Sequence, residues 1–275
     1  MKKIFGITVV AAMVSFASCG EDVEKRAQAL VGGAREAYEQ SDFQKAKLLL
    51  DSVKGTYPTA FKARREAIIL MRDVELGEQK RSLDYYKSEL ARLSAERDSL
   101  LPSFVLEKDS RYQDIGNYMK ASQTIKNNLG NSYLRAQVDE NGVATITSVY
   151  RGKPIGHTSV KVLSGDNYVE CSSPLNTYSS RHLGVTTERV DFRYGQDGGL
   201  MDFISTSKSA VTVELSGEKK YKYTLPASDV SAIAEVLNLA RLLQAIDSLK
   251  AMRDEAERHI EFINYNKQKY ETKEQ

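Results

Sequence analysis

Two segments with a seven-residue apolar repeat enclose a stretch that alternates every second residue, and this change of period limits the chain to a fold of both helices and strands. In the first segment Ile69, Leu76, Leu83 and Leu90 are spaced by seven, with Tyr86, Leu93 and Leu100 as a companion row. In the second, Leu239, Ile246 and Ile260 share one row, and Leu242, Leu249, Ala256 and Ile263 share the other. Apolar rows at these spacings put a stripe along one helix face and charged residues on the others. The first helix is predicted from Thr59 and stops before Pro102. Pro226 to Asp229 starts the second, where Ser228 or Asp229 can accept from unpaired first-turn N–H groups.

Each helix covers about 40 residues, or about 60 Å at 1.5 Å per residue. Equal lengths and matching stripes predict a long antiparallel coiled coil with residues 102–226 inserted at its tip. Arg97 interrupts the first stripe near that tip and Arg253 the second nearer the base, so the two do not face each other. Dimerisation through either stripe is the competing use of the pattern. Pairing within the chain is favoured because both partners are already tethered.

Between the prolines the pattern is that of strands and turns. Residues 133–138 and 143–150 alternate on either side of Asp139-Glu140-Asn141-Gly142, and 157–163 and 168–171 flank Ser164-Gly165-Asp166-Asn167. Further strands are expected at 189–194, 200–206, 210–215 and 221–225. Residues 172–187 read as a long polar loop and 112–129 as a short helix. Seven or eight short strands with local hairpins predict an all-β domain, either a barrel or a sandwich.

Upstream, Ala27, Leu30, Ala34 and Ala37 recur at helical spacing, Ser41-Asp42 interrupts, and Phe43, Ala46, Leu49, Leu50 and Val53 resume it. Ala34, Phe43, Ala46 and Pro58 fall where the 34-residue tetratricopeptide motif favours them, so this helical hairpin resembles a single tetratricopeptide unit. Val53 stands where the motif has alanine, and Leu30 where it has tryptophan. An ordinary helical hairpin is the alternative, with similar local geometry, because such repeats need stacked neighbours to build a core.

The N-terminus reads as an address. Lys2 and Lys3 precede a small and apolar run from Ile4 to Ala17, too short for a permanent span. It closes with Phe16-Ala17-Ser18-Cys19-Gly20, followed by the polar Glu21 to Arg26. A cysteine directly after two small residues resembles the lipobox of bacterial lipoproteins, in a form tolerated among those of Bacteroidetes, with Phe16 where leucine is usual. The resemblance implies cleavage before Cys19, acylation of its thiol and new amino group, and attachment to the outer membrane. Glu21, Asp22 and Glu24 look like a weak form of the acidic stretch that directs some of these proteins to the cell surface. Gly20 is not the aspartate associated with inner-membrane retention. Either the periplasmic or the outer face remains open.

Composition excludes several classes. The chain has 39 basic and 37 acidic residues, and loss of Lys2 and Lys3 with the signal brings the two into balance. No clustered Lys and Arg face is indicated, so no nucleic acid partner is expected. With Cys19 acylated, Cys171 is unpaired and stability must come from core burial rather than disulfides.

Catalytic and metal signals are weak. His157, Cys171 and His182 are separated by 14 and 11 positions rather than the paired spacings of zinc sites. His259 sits among charged residues beside the helical stripe. Ser172, Ser173, Ser179 and Ser180 near His182, with Asp166 before them, lack a strained nucleophile turn. Gly195 to Gly199 has no following Lys-Ser/Thr and leads into a predicted strand, so it is not a phosphate loop. Asp197, Asp139, Glu140 and Asn141 read as turn residues rather than calcium ligands. No catalytic residue, metal or cofactor is assigned.

Tyrosine is abundant, at 15 residues. Tyr221 and Tyr223 share one predicted strand face, with Lys220 and Lys222 on the other. They are the candidate recognition surface, although tyrosine is also a favoured strand residue. The expected organisation is a signal at 1–18, a tether and hairpin at 19–58, an outgoing stalk helix at 59–101, an inserted all-β domain at 102–226 and a returning helix and tail at 227–275. Such an α+β chain fits a non-enzymatic envelope lipoprotein that holds membrane lipid through Cys19 and contacts an envelope protein. The alternative is a β-domain that binds a glycan or a small apolar ligand.

Overall fold

The computed structural model describes the backbone of residues 17–271 and the side chains of residues 22–269. Most of the expected signal and the Cys19 thiol therefore lie outside the described residues. The chain divides into two compact units, one of residues 1–87 with 252–275 and one of residues 88–251.

The first unit is helical. It contains α1 (Ala17–Glu39), α2 (Phe43–Thr56), most of α3 (Phe61–Leu100) and the end of α5 (Ala227–Glu271). The predicted hairpin is present. Ala27, Val31, Ala34 and Ala37 of α1 bury against Ala46, Leu50 and Val53 of α2 and Ala63, Ala67, Leu70 and Val74 of α3. The small alanines let the backbones approach closely. Asp42 caps α2 by accepting from Lys45 N at 3.0 Å. Glu24 Oε1 accepts from Ala63 N at 2.6 Å, satisfying one of the orphan donors at the start of α3.

In this unit Asp73 pairs with Lys267 at 3.3 Å and Lys87 with Glu257 at 3.1 Å. The higher-numbered residue of α3 meets the lower-numbered residue of α5, so these segments run in opposite directions. Ala256 and Ile263 of the α5 stripe are buried, while Ile69 of the α3 stripe is half exposed.

The second unit holds two antiparallel sheets. The six-stranded sheet has the order β1-β2-β3-β4-β8-β7, built from β1 (Val105–Glu107), β2 (Asn117–Met119), β3 (Tyr133–Asp139), β4 (Ala144–Gly152), β7 (Asn176–His182) and β8 (Val185–Arg193). The four-stranded sheet has the order β10-β9-β5-β6, from β5 (Ser159–Ser164), β6 (Asn167–Cys171), β9 (Val211–Ser216) and β10 (Lys220–Leu225). One core joins them. It takes Leu134, Ile146, Val190 and Phe192 from the first sheet and Val160, Val162, Val213 and Leu215 from the second. Ile204 of α4 (Leu200–Thr206) and Ile233, Val236 and Leu237 of α5 complete it.

Three expectations are corrected. The inserted region is not all-β, because residues 200–206 form α4 rather than a strand: buried Asp197, just ahead of the helix, accepts from Gly199 N and Met201 N, and the helix buries Leu200, Met201 and Ile204. Residues 172–187 are not one loop, since they contain β7 and the start of β8. That strand escapes a pattern search because β7 is a polar sheet edge with no buried residue. Residues 112–129 hold β2 and two short 3-10 turns rather than a helix, tied down by Gln123, whose amide donates to Leu134 O and accepts from Ala136 N. The two sheets remain separate, so no single closed barrel forms.

Candidate functional cleft and the buried histidine

Alternation along β3, β4 and β8 sorts residues between two faces. Leu134, Ala136, Ile146, Ser148, Val190 and Phe192 point into the core. The residues between them form an ordered array on the other face. The register aligns Tyr133, Val149, Arg189 and Tyr178 in one row across the strands, and Arg135, Thr147, Asp191 and Asn176 in the next. Neighbouring strands are about 4.8 Å apart and successive same-face residues about 6.8 Å. A row of Tyr133, Val149 and Tyr178, interrupted by Arg189, therefore lies directly beside a hydrogen-bonding row.

A cavity of about 640 Å³ covers this array. Its floor also includes Gln137, Thr145 and Thr187, and its rim includes Ile125, Leu129 and Leu175. Those three rim residues and Tyr178 are all exposed. Thr147 Oγ1 donates to Asp191 Oδ1 at 2.7 Å, and Arg189 donates to Asp191 Oδ2 at 3.0 Å. The nearly buried Arg135 donates from one Nη to Glu107 Oε2 at 2.6 Å, while its Nε is enclosed without a partner. Arg151 donates to the Leu129 carbonyl. Burial pushes the Tyr133 phenol above its ordinary pKa, and the adjacent Arg135 works against that shift.

On the core face of the same sheet lies an array that sequence reading missed. Ser148 Oγ is 3.2 Å from His157 Nε2, and His157 Nδ1 is 2.8 Å from Glu188 Oε2. The assignment that satisfies every group places the proton on Nδ1, with Nε2 accepting from the serine. Glu188 also accepts from the backbone N–H groups of Ile155, Gly156 and His157, each at 2.9 Å. Burial pushes the Glu188 carboxyl up, but the His157 hydrogen bonds and the other two donors outweigh it and hold the pKa below 4.5.

This is the connectivity of a hydrolase triad without its access. Ser148 has no exposed surface and His157 is 3% exposed. A hollow of about 210 Å³ reaches His157 and Glu188 but is not lined by Ser148. The three nearby N–H donors all engage Glu188 and so are not directed at an oxyanion. The array instead anchors the loop before β5 to β8. Gly217 seals the same loop: a Cβ there would lie 2.0 Å from Gly156 O. Nothing local in the sequence signals this, because Glu188 is 31 positions from His157.

Tyr221 and Tyr223 lie opposite Leu215 and Val213 on β9, the core-facing side of β10. Tyr221 is 36% exposed and its ring is 5.0 Å from that of Tyr150. Tyr223 packs on the core with its hydroxyl buried and unpartnered. On the opposite face Lys220 and Lys222 each reach Glu214 at 2.6 Å. Cys171 is buried, with Sγ 3.5 Å from Gln196 O, whereas His182 and His259 are exposed. Asp139 accepts from Asn141 N and Val143 N within its turn.

Among the described residues, no group of three or more His, Cys, Asp or Glu side chains is arranged to hold a metal ion. No described helix is long and apolar enough to cross a membrane. Comparison with protein families, curated proteins and solved structures gave no match.

Proposed function

We propose that this chain is a lipoprotein of the outer membrane, anchored through acylated Cys19, that binds an envelope component through the cleft on its six-stranded sheet and carries out no covalent chemistry. The observation that carries the binding role is the cleft itself. A concave site of about 640 Å³ has the size of ligand sites, and its polar floor brings several hydrogen-bonding groups together beneath an exposed apolar rim. The packed core directs this reading to the outer sheet face, since the space between the sheets is filled by Phe192, Leu134 and Ile146. The membrane role rests on Phe16-Ala17-Ser18-Cys19-Gly20 and on Lys2, Lys3 and the small and apolar run that precede it.

In this proposal α3 and α5 pair as an antiparallel coiled coil. The Asp73–Lys267 and Lys87–Glu257 ion pairs support that arrangement, as does burial of Ala256 and Ile263. An envelope protein is one candidate partner for the cleft and a glycan is another.

Anchoring is tested by intact-mass spectrometry of the protein from native membranes, alongside a Cys19→Ser variant. The expected result is an N-terminal Cys19 carrying acyl chains, with the variant released from the membrane. An unmodified Cys19 in a membrane-bound protein contradicts the anchor. Protease treatment of intact cells then assigns the periplasmic or surface face.

A further inference from the structure

We infer that the ligand of the cleft is a saccharide, an assignment that rests on the reading of this sheet face as a binding surface. Its basis is the juxtaposition of two rows. One row ends in Tyr178, 62% exposed, beside Arg189; the next offers Thr147, Asp191 and Asn176. A sugar ring has one face of C–H bonds and an edge of hydroxyls, each of which both donates and accepts. It can lie on the Tyr178 ring while its edge meets the neighbouring row, about 7 Å away along the strands.

The hydrogen-bonding groups suit hydroxyls in particular. Asp191 supplies acceptors and Arg189 donors, while Asn176 and Gln137 supply both. Thr145 and Thr187 add hydroxyls that rotate to either role. Thr147 and Arg189 already fix the Asp191 carboxylate, so its remaining lone pairs are held in place rather than ordered on binding.

The main alternative fits less well. An extended peptide binds a sheet by pairing with the backbone of an edge strand. The middle of this cleft lies over β4 and β8, whose backbone groups are paired on both sides, and the edge strand β7 contributes to it through the side chains of Asn176 and Tyr178. A polyanion such as a nucleic acid requires a broad positive surface. Here Arg135 and Arg189 are each paired with a carboxylate of the same cleft, Glu107 and Asp191.

The test applies the whole chain, purified in a detergent without a sugar headgroup, to a printed array of neutral and uronate-containing oligosaccharides. The strongest array ligand is then titrated by calorimetry against Tyr178→Ala, Asn176→Ala and Lys222→Ala. Tyr178 and Asn176 are exposed, so their variants are expected to fold, which circular dichroism checks. The expected result is saccharide binding weakened about tenfold or more by either cleft variant and unchanged by Lys222→Ala. Absence of any binding by the folded chain overturns the saccharide assignment, as does equal affinity in all variants. If an acidic peptide library binds and Tyr178→Ala abolishes that binding, the cleft stands as a binding site and only the saccharide assignment fails.

Discussion

His157 Nδ1 lies 2.8 Å from Glu188 Oε2, joining the loop that enters the four-stranded sheet to β8, the strand next to the edge of the six-stranded one. Glu188 collects this ring N–H and three backbone N–H groups, so one buried carboxylate fixes the path of residues 155–157. Replacing it with glutamine keeps the shape but leaves one oxygen where two accepted. Glu188→Gln is expected to destabilise the second unit by about 2–3 kcal/mol. Because the folded-state pKa lies below 4.5, this stabilisation is complete above that value and is lost as pH falls below it. Urea denaturation followed between pH 7 and pH 3 measures both effects. A variant as stable as the parent throughout contradicts the anchoring role.

Ser148 is expected to be chemically silent. With no exposed surface, it meets no acylating reagent while the chain is folded. A fluorophosphonate probe should leave the native protein unlabelled, and Ser148→Ala should cost about 1–2 kcal/mol through the unpaired His157 Nε2. Labelling that disappears in Ser148→Ala would instead establish a hydrolase and reverse the non-enzymatic reading.

Glu214 on the opposite sheet gives a second acid-sensitive contribution. Lys220 and Lys222 hold its carboxyl down to about 2, so the ion pairs stabilise the fold above 4.5 and lose that effect between 4.5 and about 2. Both lysines are well exposed, and solvent screening limits the expected effect to about 1 kcal/mol. Glu214→Gln should flatten this part of the stability profile without altering the Glu188 contribution.

Tyr223 offers a test of the opposite sign. Its hydroxyl is buried without a partner, so Tyr223→Phe should be neutral or stabilise by up to about 1 kcal/mol. Tyr150→Phe, which removes the 2.9 Å hydrogen bond to Lys153 O, should cost about 1 kcal/mol. Thermal unfolding of the two variants distinguishes them. A marked loss on Tyr223→Phe would mean that its hydroxyl has a partner in solution.

These residues also mark what a linear reading can and cannot find. The long helices were legible from heptad spacing, and β3, β4, β5 and β9 from alternation with clear turns. α4 was not, because seven residues rich in Leu, Met, Phe and Ile fit a buried strand as well as a short helix. The acceptor ahead of it, Asp197, becomes visible only once Gly199 N and Met201 N point at it. β7 was missed because an exposed edge strand has no apolar period. The facing of Tyr221 and Tyr223 away from Lys220 and Lys222 was legible, but which side met the core was not. The cleft and the His157 array depend on strand register across β3, β4, β8 and β7, which no local pattern encodes.

Hydrogen exchange of the whole chain, with and without an envelope extract of the producing cell, tests the binding role most directly. Saturating extract is expected to slow exchange in residues 133–151 and 176–191, which carry the cleft floor, while β9 and β10 stay unchanged. Protection confined to β9 and β10, or no protection at all in a folded, lipidated protein, would contradict the cleft as the working surface.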